Sequence, residues 1–429
     1  MEELMYYVWQ QRIFSTLSLP SNLPIEVIHP GIRNHDAGPD FFNAKVKVGE
    51  TVWAGNIEMH VRASDWVRHH HTLDAAYNSV ILHVVLIDDT EITLPDGRTL
   101  LQVVMHIPEA IAERYRHLTS SPTSVASAIS CREHLQEVPR VIWTDWLTSL
   151  ATQRMMNKVQ RVRDLLDDQS RSWQEACYVM LARSLGTGLN SDAFERMARS
   201  LPYAFIQKHV DQPLQVEALL FGQAGFLESS RPSSEEYYNR LQTEYRFLRA
   251  KFSLTPMPES SWRMARLRPQ AFPHVRIAFF AAMLCSRRDF FSELLSTQTP
   301  EALRDIFRVT LRGFWSTHYT FQLHEPTDSV PFDARSLGMQ TRNSMLINAV
   351  APLLMAYGEW QGNDEMVQRS IRLLESIPAE QNRYVRVWQD AGMLPFSAFD
   401  TQAFLQLYRE YCELHRCLHC RVGCWLMRH

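Results

Sequence analysis

The spacing of apolar residues changes once along this chain of 429 residues, and that change constrains the fold more than any other feature. Up to about residue 110, apolar and polar residues often alternate with a period of two, which is typical of β-strands. After about residue 138 they recur every three or four positions, which is typical of amphipathic helices. A chain of this length is also too long for one ordinary hydrophobic core. The sequence therefore predicts an α+β domain followed by a large all-α domain.

The predicted domain boundaries follow the same change. We expect the α+β domain over residues 1–118, a linker over residues 119–138 and a helical domain over residues 139–429. The linker is predicted from its small and hydroxyl-bearing residues. The helical domain is expected to begin with a long helix marked by apolar residues from Trp143 to Leu166 and to finish in a cysteine-rich helix.

One predicted β-hairpin carries polar residues of chemical interest. Its first arm alternates apolar residues with asparagine and lysine, and Gly49-Glu50 forms the turn; the apolar positions are Phe42, Ala44, Val46 and Val48. The second arm covers residues 53–61. Side chains two apart in a strand point the same way, so Glu58 and His60 share the polar face. Residues 80–87 are apolar on both faces except for His83, which predicts a covered central strand.

An acidic pair on this hairpin predicts a metal site. Asp40 precedes the first arm and Glu58 lies on the second, so the two carboxylates can hold one hard cation such as Mg²⁺ or Mn²⁺. His60 would then touch the same water, which the metal activates. Asp40 and Phe42 are two residues apart, so strict alternation would point both side chains to the apolar face. We therefore expect a bulge near Pro39-Asp40 that turns the Asp40 side chain to the polar face. The alternative is that Glu58 and His60 lie on a solvated strand face.

Histidines are concentrated in the same region. Seven of the 17 lie between positions 29 and 83, and His69, His70 and His71 are consecutive. His71 and Asp74 are spaced to form an oriented pair, and His60 and His83 could complete a site across the sheet. Imidazole is a common zinc ligand, so zinc is the alternative to magnesium. The structural alternative for His83 is a core histidine with one satisfied nitrogen.

A third candidate site is the cysteine-rich C-terminal segment. Four of the seven cysteines fall in the last 18 residues: Cys412, Cys417, Cys420 and Cys424. An odd total, with this clustering, is not a secreted disulfide framework. Thiolates at such spacings can hold Zn²⁺ or an iron–sulfur cluster. The last three also share one helix face, so a buried, thiol-lined helix is the alternative.

Charge and hydropathy restrict the partners. Residues 1–110 carry 7 basic and 14 acidic side chains, whereas the remainder carries 37 and 33. A nucleic-acid partner would therefore need basic surface from the helical domain, where Arg154, Lys158 and Arg161 could form a stripe. A protein partner of the helical domain is the other possibility. No apolar run approaches the roughly 20 residues of a membrane helix, and the N-terminus lacks a signal-peptide pattern, so we expect a cytoplasmic protein without a membrane partner.

Residues 1–90 resemble the PD-(D/E)xK nuclease superfamily. The resemblance rests on Gly38-Pro39-Asp40, on Glu58-Met59-His60, and on the order helix, strand, hairpin, helix, strand. It implies that Asp40 and Glu58 are metal ligands and that His60 stands at the usual lysine position. Lys45 or Lys47 on the neighbouring arm would supply the positive charge.

The whole chain also resembles an uncharacterised bacterial family known only as a domain of unknown function. The phrases that carry this resemblance are Asp36 to Phe41, Trp53 to His60, Ser64-Asp65-Trp66, Tyr77 to Val85, Leu219 to Gly225, and Cys417 to Gly423. The resemblance implies that the two parts of the chain belong together and implies no particular activity.

These observations leave three hypotheses. The first is a metal-dependent phosphodiester hydrolase, or another nucleic-acid-processing protein, that uses Asp40, Glu58 and His60. The second is a nuclease-like fold that has lost catalysis and serves as a binding or scaffold protein. The third is a zinc-dependent hydrolase that uses the histidine cluster.

Overall fold

A computed structural model describes residues 1–429 apart from positions 22, 35, 120–128, 169–171, 229–235, 288 and 323–334. Most of the first half of the predicted linker, residues 120–128, thus lies outside the described residues. Nearer the helical part, a 3₁₀ turn at Arg132–His134 precedes the first long helix.

The N-terminal part contains the predicted mixed sheet. Its seven strands are β1 (Thr16–Ser18), β2 (Ile25–His29), β3 (Ile32–Arg33), β4 (Phe41–Val48), β5 (Thr51–Arg62), β6 (Val80–Ile87) and β7 (Gln102–His106). The order across the sheet is β1-β7-β6-β5-β4-β2, and β3 pairs with β4. The β5–β6 and β6–β7 pairs are parallel, and the others are antiparallel. The α+β prediction for this part is confirmed.

Local sequence explains the two central elements. Gly49 has a φ of +59°, which closes the β4–β5 hairpin at the predicted turn. Strand β6 lies between two parallel neighbours and is buried on both faces over residues 82–85, as its continuous apolar run indicated. The three helices of this part are α1 (Glu2–Gln11), α2 (Asp65–Arg68) and α3 (Glu109–Thr119).

The rest of the chain is mainly helical, as predicted. Its first helix, α4, runs over Arg140–Asp167 and carries the expected apolar stripe. The following α-helices are α5 (Trp173–Leu185), α6 (Ser191–Ser200), α7 (Tyr203–Gln207), α8 (Pro213–Gln223), α9 (Glu236–Phe252), α10 (Pro273–Ser286), α11 (Phe290–Ser296), α12 (Pro300–Ile306), α13 (Phe314–Thr317), α14 (Met339–Met345), α15 (Ala351–Gln361), α16 (Asp364–Ser376), α17 (Arg383–Asp390), α18 (Ala398–Leu407) and α19 (Arg421–Arg428). A two-stranded pair, β8 (Thr310–Leu311) with β9 (Arg335–Ser336), is a departure from the purely helical pattern.

The chain forms two compact units. The first comprises Met1–Trp146, Asp390–Gly392 and Leu407–His429, and the second comprises Leu147–Gln389 and Met393–Gln406. Residues 407–429 thus belong with the sheet rather than with the helical unit, where the linear division had placed them. Contacts within the first unit account for this, because the Tyr7 hydroxyl donates to the Cys424 carbonyl and Arg114 donates to the carbonyls of Met427 and His429.

The helical unit has its own continuous hydrophobic core. Its central side chains are fully buried, among them Leu181, Leu219, Phe280 and Ile347. Within the described ranges, no helix is both long enough and apolar enough to cross a membrane.

Candidate metal centre

The candidate centre is built on one face of strands β5 and β6. Glu58 and His60 are two residues apart on β5, and Glu58 is the register partner of His83 on β6. All three side chains therefore point to the same face of the sheet. Each is buried in the fold, which is unusual for a carboxylate and two imidazoles.

The segment between β5 and β6 covers this face. Trp66 of α2 is fully buried, its ring lies against His71, Tyr77 and His83, and its indole N–H donates to the Thr72 hydroxyl at 3.0 Å. A 3₁₀ turn at His71–Leu73 and another at Ala75–Ser79 then return the chain to β6. The Trp66 indole thus holds the segment between β5 and β6 in place over the polar side chains.

His70 determines which histidines face the sheet. Its φ of +62° places it in the left-handed region, between the end of α2 and the 3₁₀ turn. A non-glycine residue held there costs about 1–3 kcal/mol and is often found at functional sites. Reversal of the chain at His70 brings the side chains on either side of it, His69 and His71, to His60.

Four side chains then meet, which we call the His–Glu cluster: Glu58, His60, His69 and His71. His60 Nε2 lies 3.2 Å from His69 Nδ1 and 3.6 Å from Glu58 Oε1. His71 Nε2 lies 3.3 Å from the same Glu58 oxygen. One nitrogen from each of the three histidines lies within 4.8 Å of the other two.

These distances fit a transition-metal ion. A tetrahedral ion with bonds of about 2.0–2.1 Å separates its ligand atoms by about 3.4 Å. The three distances measured between cluster atoms bracket that value. His71 Nε2 is also buried without a hydrogen-bond partner, so it is a nitrogen that a metal bond would satisfy.

Electrostatics favour neutral histidines in the cluster. Burial, together with the adjacent histidines, lowers the pKa of His60 to about 3. Burial also lowers the pKa of His71. Both rings are therefore uncharged at neutral pH, and neutral imidazole is the form that binds a metal. Burial, followed by the negative charge of Asp40, raises the pKa of Glu58 to about 9, so without a bound cation this carboxyl group is protonated at neutral pH.

His83 lies directly behind His60. His60 Nδ1 and His83 Nε2 are 2.9 Å apart, and His83 is completely buried. If His60 binds a metal through Nε2, its Nδ1 carries the hydrogen and donates a hydrogen bond to His83 Nε2. Such a partner fixes the tautomer and the ring orientation of a metal ligand.

Asp40 is joined to the cluster through Glu58. Its backbone N–H donates to Glu58 Oε2 at 3.1 Å, while its carboxylate accepts from Met59 N at 3.0 Å and from the Arg33 guanidinium at 2.9 Å. The Tyr6 hydroxyl also interacts with this carboxylate. Both Asp40 oxygens are thus occupied by protein donors, whereas Glu58 Oε1 faces the histidines.

The bulge that was expected near Pro39-Asp40 lies slightly further along β4. The register shifts between Phe41 and Ala44, and Asn43 there has a φ of +56°. Phe41, rather than Phe42, is consequently the fully buried residue. The shift aligns Asp40 beside β5, where it reaches Glu58 and Met59.

Two of the candidate residues lie away from the cluster. Lys45 is exposed on β4, and the cation beside Asp40 is Arg33 instead. Asp74 is exposed, and its carboxylate accepts from Ala76 N at 2.9 Å as the cap of a 3₁₀ turn. The histidine tripeptide indicated His69, whereas no sequence pattern indicated Arg33 on β3 or Tyr6 on α1, which meet Asp40 only in the folded structure.

The basic stripe of α4 is engaged within the helical unit. Arg154 donates to Gln402, Lys158 donates to Asn348 and Gln402, and Arg161 pairs with Glu195. These cations therefore have protein partners already, and a nucleic-acid partner for this helix stays a prediction.

The C-terminal cysteines do not lie on one helix. Cys417 is in a 3₁₀ turn at Cys417–His419, Cys420 precedes α19 with an extended backbone, and Cys424 alone lies on α19. Cys412 ends a π-helical turn at Tyr408–Cys412. All seven cysteines are free thiols.

The fold and the cluster together define a two-unit protein with a histidine-rich candidate metal centre on a mixed sheet. A family model described as "Protein of unknown function (DUF2851)" matches residues 2–383, and the chain belongs to that family. No curated protein and no solved structure matches the chain.

Proposed function

We propose that this protein is a metal-dependent hydrolase whose metal is a transition-metal ion of the zinc class. His60, His69 and His71 would hold the ion. The observation that carries the proposal is the set of 3.2–3.6 Å separations among cluster atoms, at the edge length of a tetrahedral site. Three imidazoles favour zinc, iron or another transition metal over magnesium, which prefers oxygen ligands.

Glu58 has a separate role in this proposal. Three histidine ligands leave a fourth position free, as in catalytic zinc sites. Glu58 Oε1 lies beside that position, at 3.3 Å from His71 Nε2, and can complete the coordination or accept a proton from a water there. The ion would supply Lewis acidity, which polarises a substrate oxygen and acidifies a water. The exposed His69 marks the side on which a substrate can approach.

A phosphodiester is the substrate class that we propose. The support is the resemblance of the sequence over residues 1–90 to the PD-(D/E)xK superfamily, together with the adjacent positions of Asp40 and Glu58. A second candidate is therefore a magnesium-dependent nuclease in which both carboxylates bind the ion. The 3.1 Å contact from Asp40 N to Glu58 Oε2 favours it, because it holds the two residues side by side.

Metal binding tests the first candidate with a control that the sequence offers. We expect the purified full chain to bind about one Zn²⁺, Mn²⁺ or Fe²⁺ at this centre, and His69→Ala or His71→Ala to weaken binding by more than about 100-fold, since even indirect partners of ligands contribute about 10–100-fold. His70→Gly should bind normally, because glycine adopts the left-handed backbone of His70 freely and the His70 side chain lies outside the cluster. Elemental analysis after dialysis, with chelator competition, measures this.

The outcomes separate the hypotheses. Equal metal content in His69→Ala, His71→Ala and wild type would contradict the histidine site. Loss of Mg²⁺-dependent plasmid nicking in Asp40→Asn, with His69→Ala fully active, would favour the nuclease-like site. A wild-type chain that binds metal at neither site would favour the scaffold hypothesis.

A further inference from the structure

A line of polar side chains behind the His–Glu cluster begins at Gln102 on β7. Gln102 is 7% exposed and is the register partner of His83 on β6, so both side chains point to the face of the sheet that carries the cluster. The amide nitrogen of Gln102 donates to Asp88 Oδ1 at 2.7 Å and to the Thr90 carbonyl at 2.9 Å. Because only the nitrogen of an amide can donate, these two acceptors fix which end of the Gln102 amide is the oxygen.

Two buried atoms between β6 and β7 lack a partner. They are His83 Nδ1 and Gln102 Oε1, and neither has a hydrogen bond to any residue that the structure describes. The Gln102 side chain interacts with the His83 ring. An amide oxygen only accepts hydrogen bonds, whereas a ring nitrogen donates when it carries the hydrogen. A hydrogen on His83 Nδ1 therefore satisfies both atoms, and a bare Nδ1 would leave two buried acceptors side by side.

The hydrogen on His83 decides where the hydrogen of His60 lies. A neutral His83 that carries its hydrogen on Nδ1 has a bare Nε2, which is 2.9 Å from His60 Nδ1. His60 must then donate from Nδ1, and its Nε2 keeps a free lone pair on the side of the cluster. In the reversed arrangement His83 donates from Nε2 to His60 Nδ1. The hydrogen of His60 is then on Nε2, where it blocks a metal bond.

The cluster side of His60 does not select between these two arrangements. His60 Nε2 lies 3.2 Å from His69 Nδ1, and either nitrogen can donate to the other. Gln102 Oε1 differs from both imidazoles, because it is an acceptor in every state. The selection between the two arrangements therefore comes from β7, on the side of His83 away from His60.

We propose that Gln102 is a positioning residue, which sets the tautomers of His83 and His60 and thereby leaves His60 Nε2 free to bind the metal. Asp88 and Thr90 hold the Gln102 amide, Gln102 Oε1 accepts from His83 Nδ1, and His83 Nε2 accepts from His60 Nδ1. The role of His60 as a ligand rests on the proposed function. The two tautomers themselves are a property of the metal-free chain.

Nitrogen-15 NMR of the full-length, metal-free chain with labelled histidines tests the tautomers directly. Ring nitrogens with and without a hydrogen give well-separated signals, and the loss of signals in His60→Ala and His83→Ala assigns them. At neutral pH we expect both rings to carry the hydrogen on Nδ1. A hydrogen on Nε2 of either ring would overturn the inference. Expected tautomers in a chain that binds no metal would contradict the proposed function alone, and reversed tautomers in a chain that binds metal would contradict this inference alone.

A matched pair of variants tests whether Gln102 causes the selection. Gln102→Met keeps a similar volume without the acceptor, so we expect a mixture of tautomers at His83 and a loss of Zn²⁺ affinity of about 10–100-fold in chelator competition. Asp88→Asn still offers an oxygen to the Gln102 amide and should keep the wild-type tautomers and affinity. Wild-type tautomers in Gln102→Met would overturn the assignment. If Gln102→Met does not fold, the spectrum of the unsubstituted chain decides.

Discussion

At the scale of single residues, His83 shows how a buried side chain can serve a site without facing the ligand. It lies 2.9 Å behind His60 Nδ1. Gln102 occupies the register position beside it on β7 and donates to Asp88 and Thr90, so this part of the sheet is held by polar contacts. In the proposed site, His83 would therefore position the ligand His60.

Substitution of His83 tests that role. His83→Ala removes the acceptor behind His60, so we expect the affinity for the metal to fall about 10–100-fold while the protein stays folded. His83→Gln retains a side-chain acceptor and should keep more of the affinity. Chelator competition followed by circular dichroism measures both effects. Unchanged affinity in His83→Ala would show that His60 does not need this partner.

At the scale of secondary-structure elements, the bulge in β4 decides whether the acidic residues meet. Asn43 occupies the left-handed region with φ +56°, and its N–H donates to the Asn56 side chain at 3.2 Å. Asparagine tolerates this conformation better than β-branched residues do. Between Phe41 and Ala44, the bulge changes which face of the sheet alternate side chains point to.

The bulge predicts different effects of two substitutions at position 43. Asn43→Val should destabilise the first unit by about 1–2 kcal/mol, because a β-branched residue is strained at positive φ. Asn43→Gly should be nearly neutral, because glycine adopts this backbone freely. Urea midpoints measure both, with Lys45→Val as the control on the same strand, where the side chain is exposed. Equal stability of the two Asn43 variants would mean that the bulge is not held at this residue.

At the scale of the whole molecule, buried ionisable groups make stability depend on pH. His274 on α10 is 4% exposed and stacks on Phe226 with ring centroids 3.9 Å apart. Burial lowers the pKa of His274 to about 3, well below the usual value near 6.5. Between these values the unfolded chain binds a proton at this position that the folded chain does not, so acidification destabilises the helical unit.

His274→Phe should remove this contribution. We compare the free energy of unfolding of the wild type with that of the variant. As the pH is lowered from 7 to 5, the wild-type value should fall by about 2 kcal/mol relative to the variant value. The difference should change little above pH 7, where the ring is neutral in both states. Urea denaturation followed by far-ultraviolet circular dichroism at several pH values measures it. A difference independent of pH would contradict burial of a neutral ring.

Much of the fold could be predicted because it depends on local periodicity. The alternation along β4 and β5, the continuous apolar run of β6 and the stripe of α4 each bury a face that the sequence marks directly. The association of residues 407–429 with the sheet was not predictable in this way, because it depends on contacts such as that of Tyr7 with the Cys424 carbonyl, which join the two ends of the chain.

The sequence by itself determined that Glu58 and His60 share a strand face and that histidines and cysteines are concentrated in two segments. Only the tertiary structure decided which of them meet. The left-handed backbone of His70 turned His69 and His71 towards His60, and Arg33 on β3 reached Asp40. The physical reason is that periodicity records which side of an element is buried, whereas a site depends on directions and distances between elements, which are set by bulges, reversals and packing.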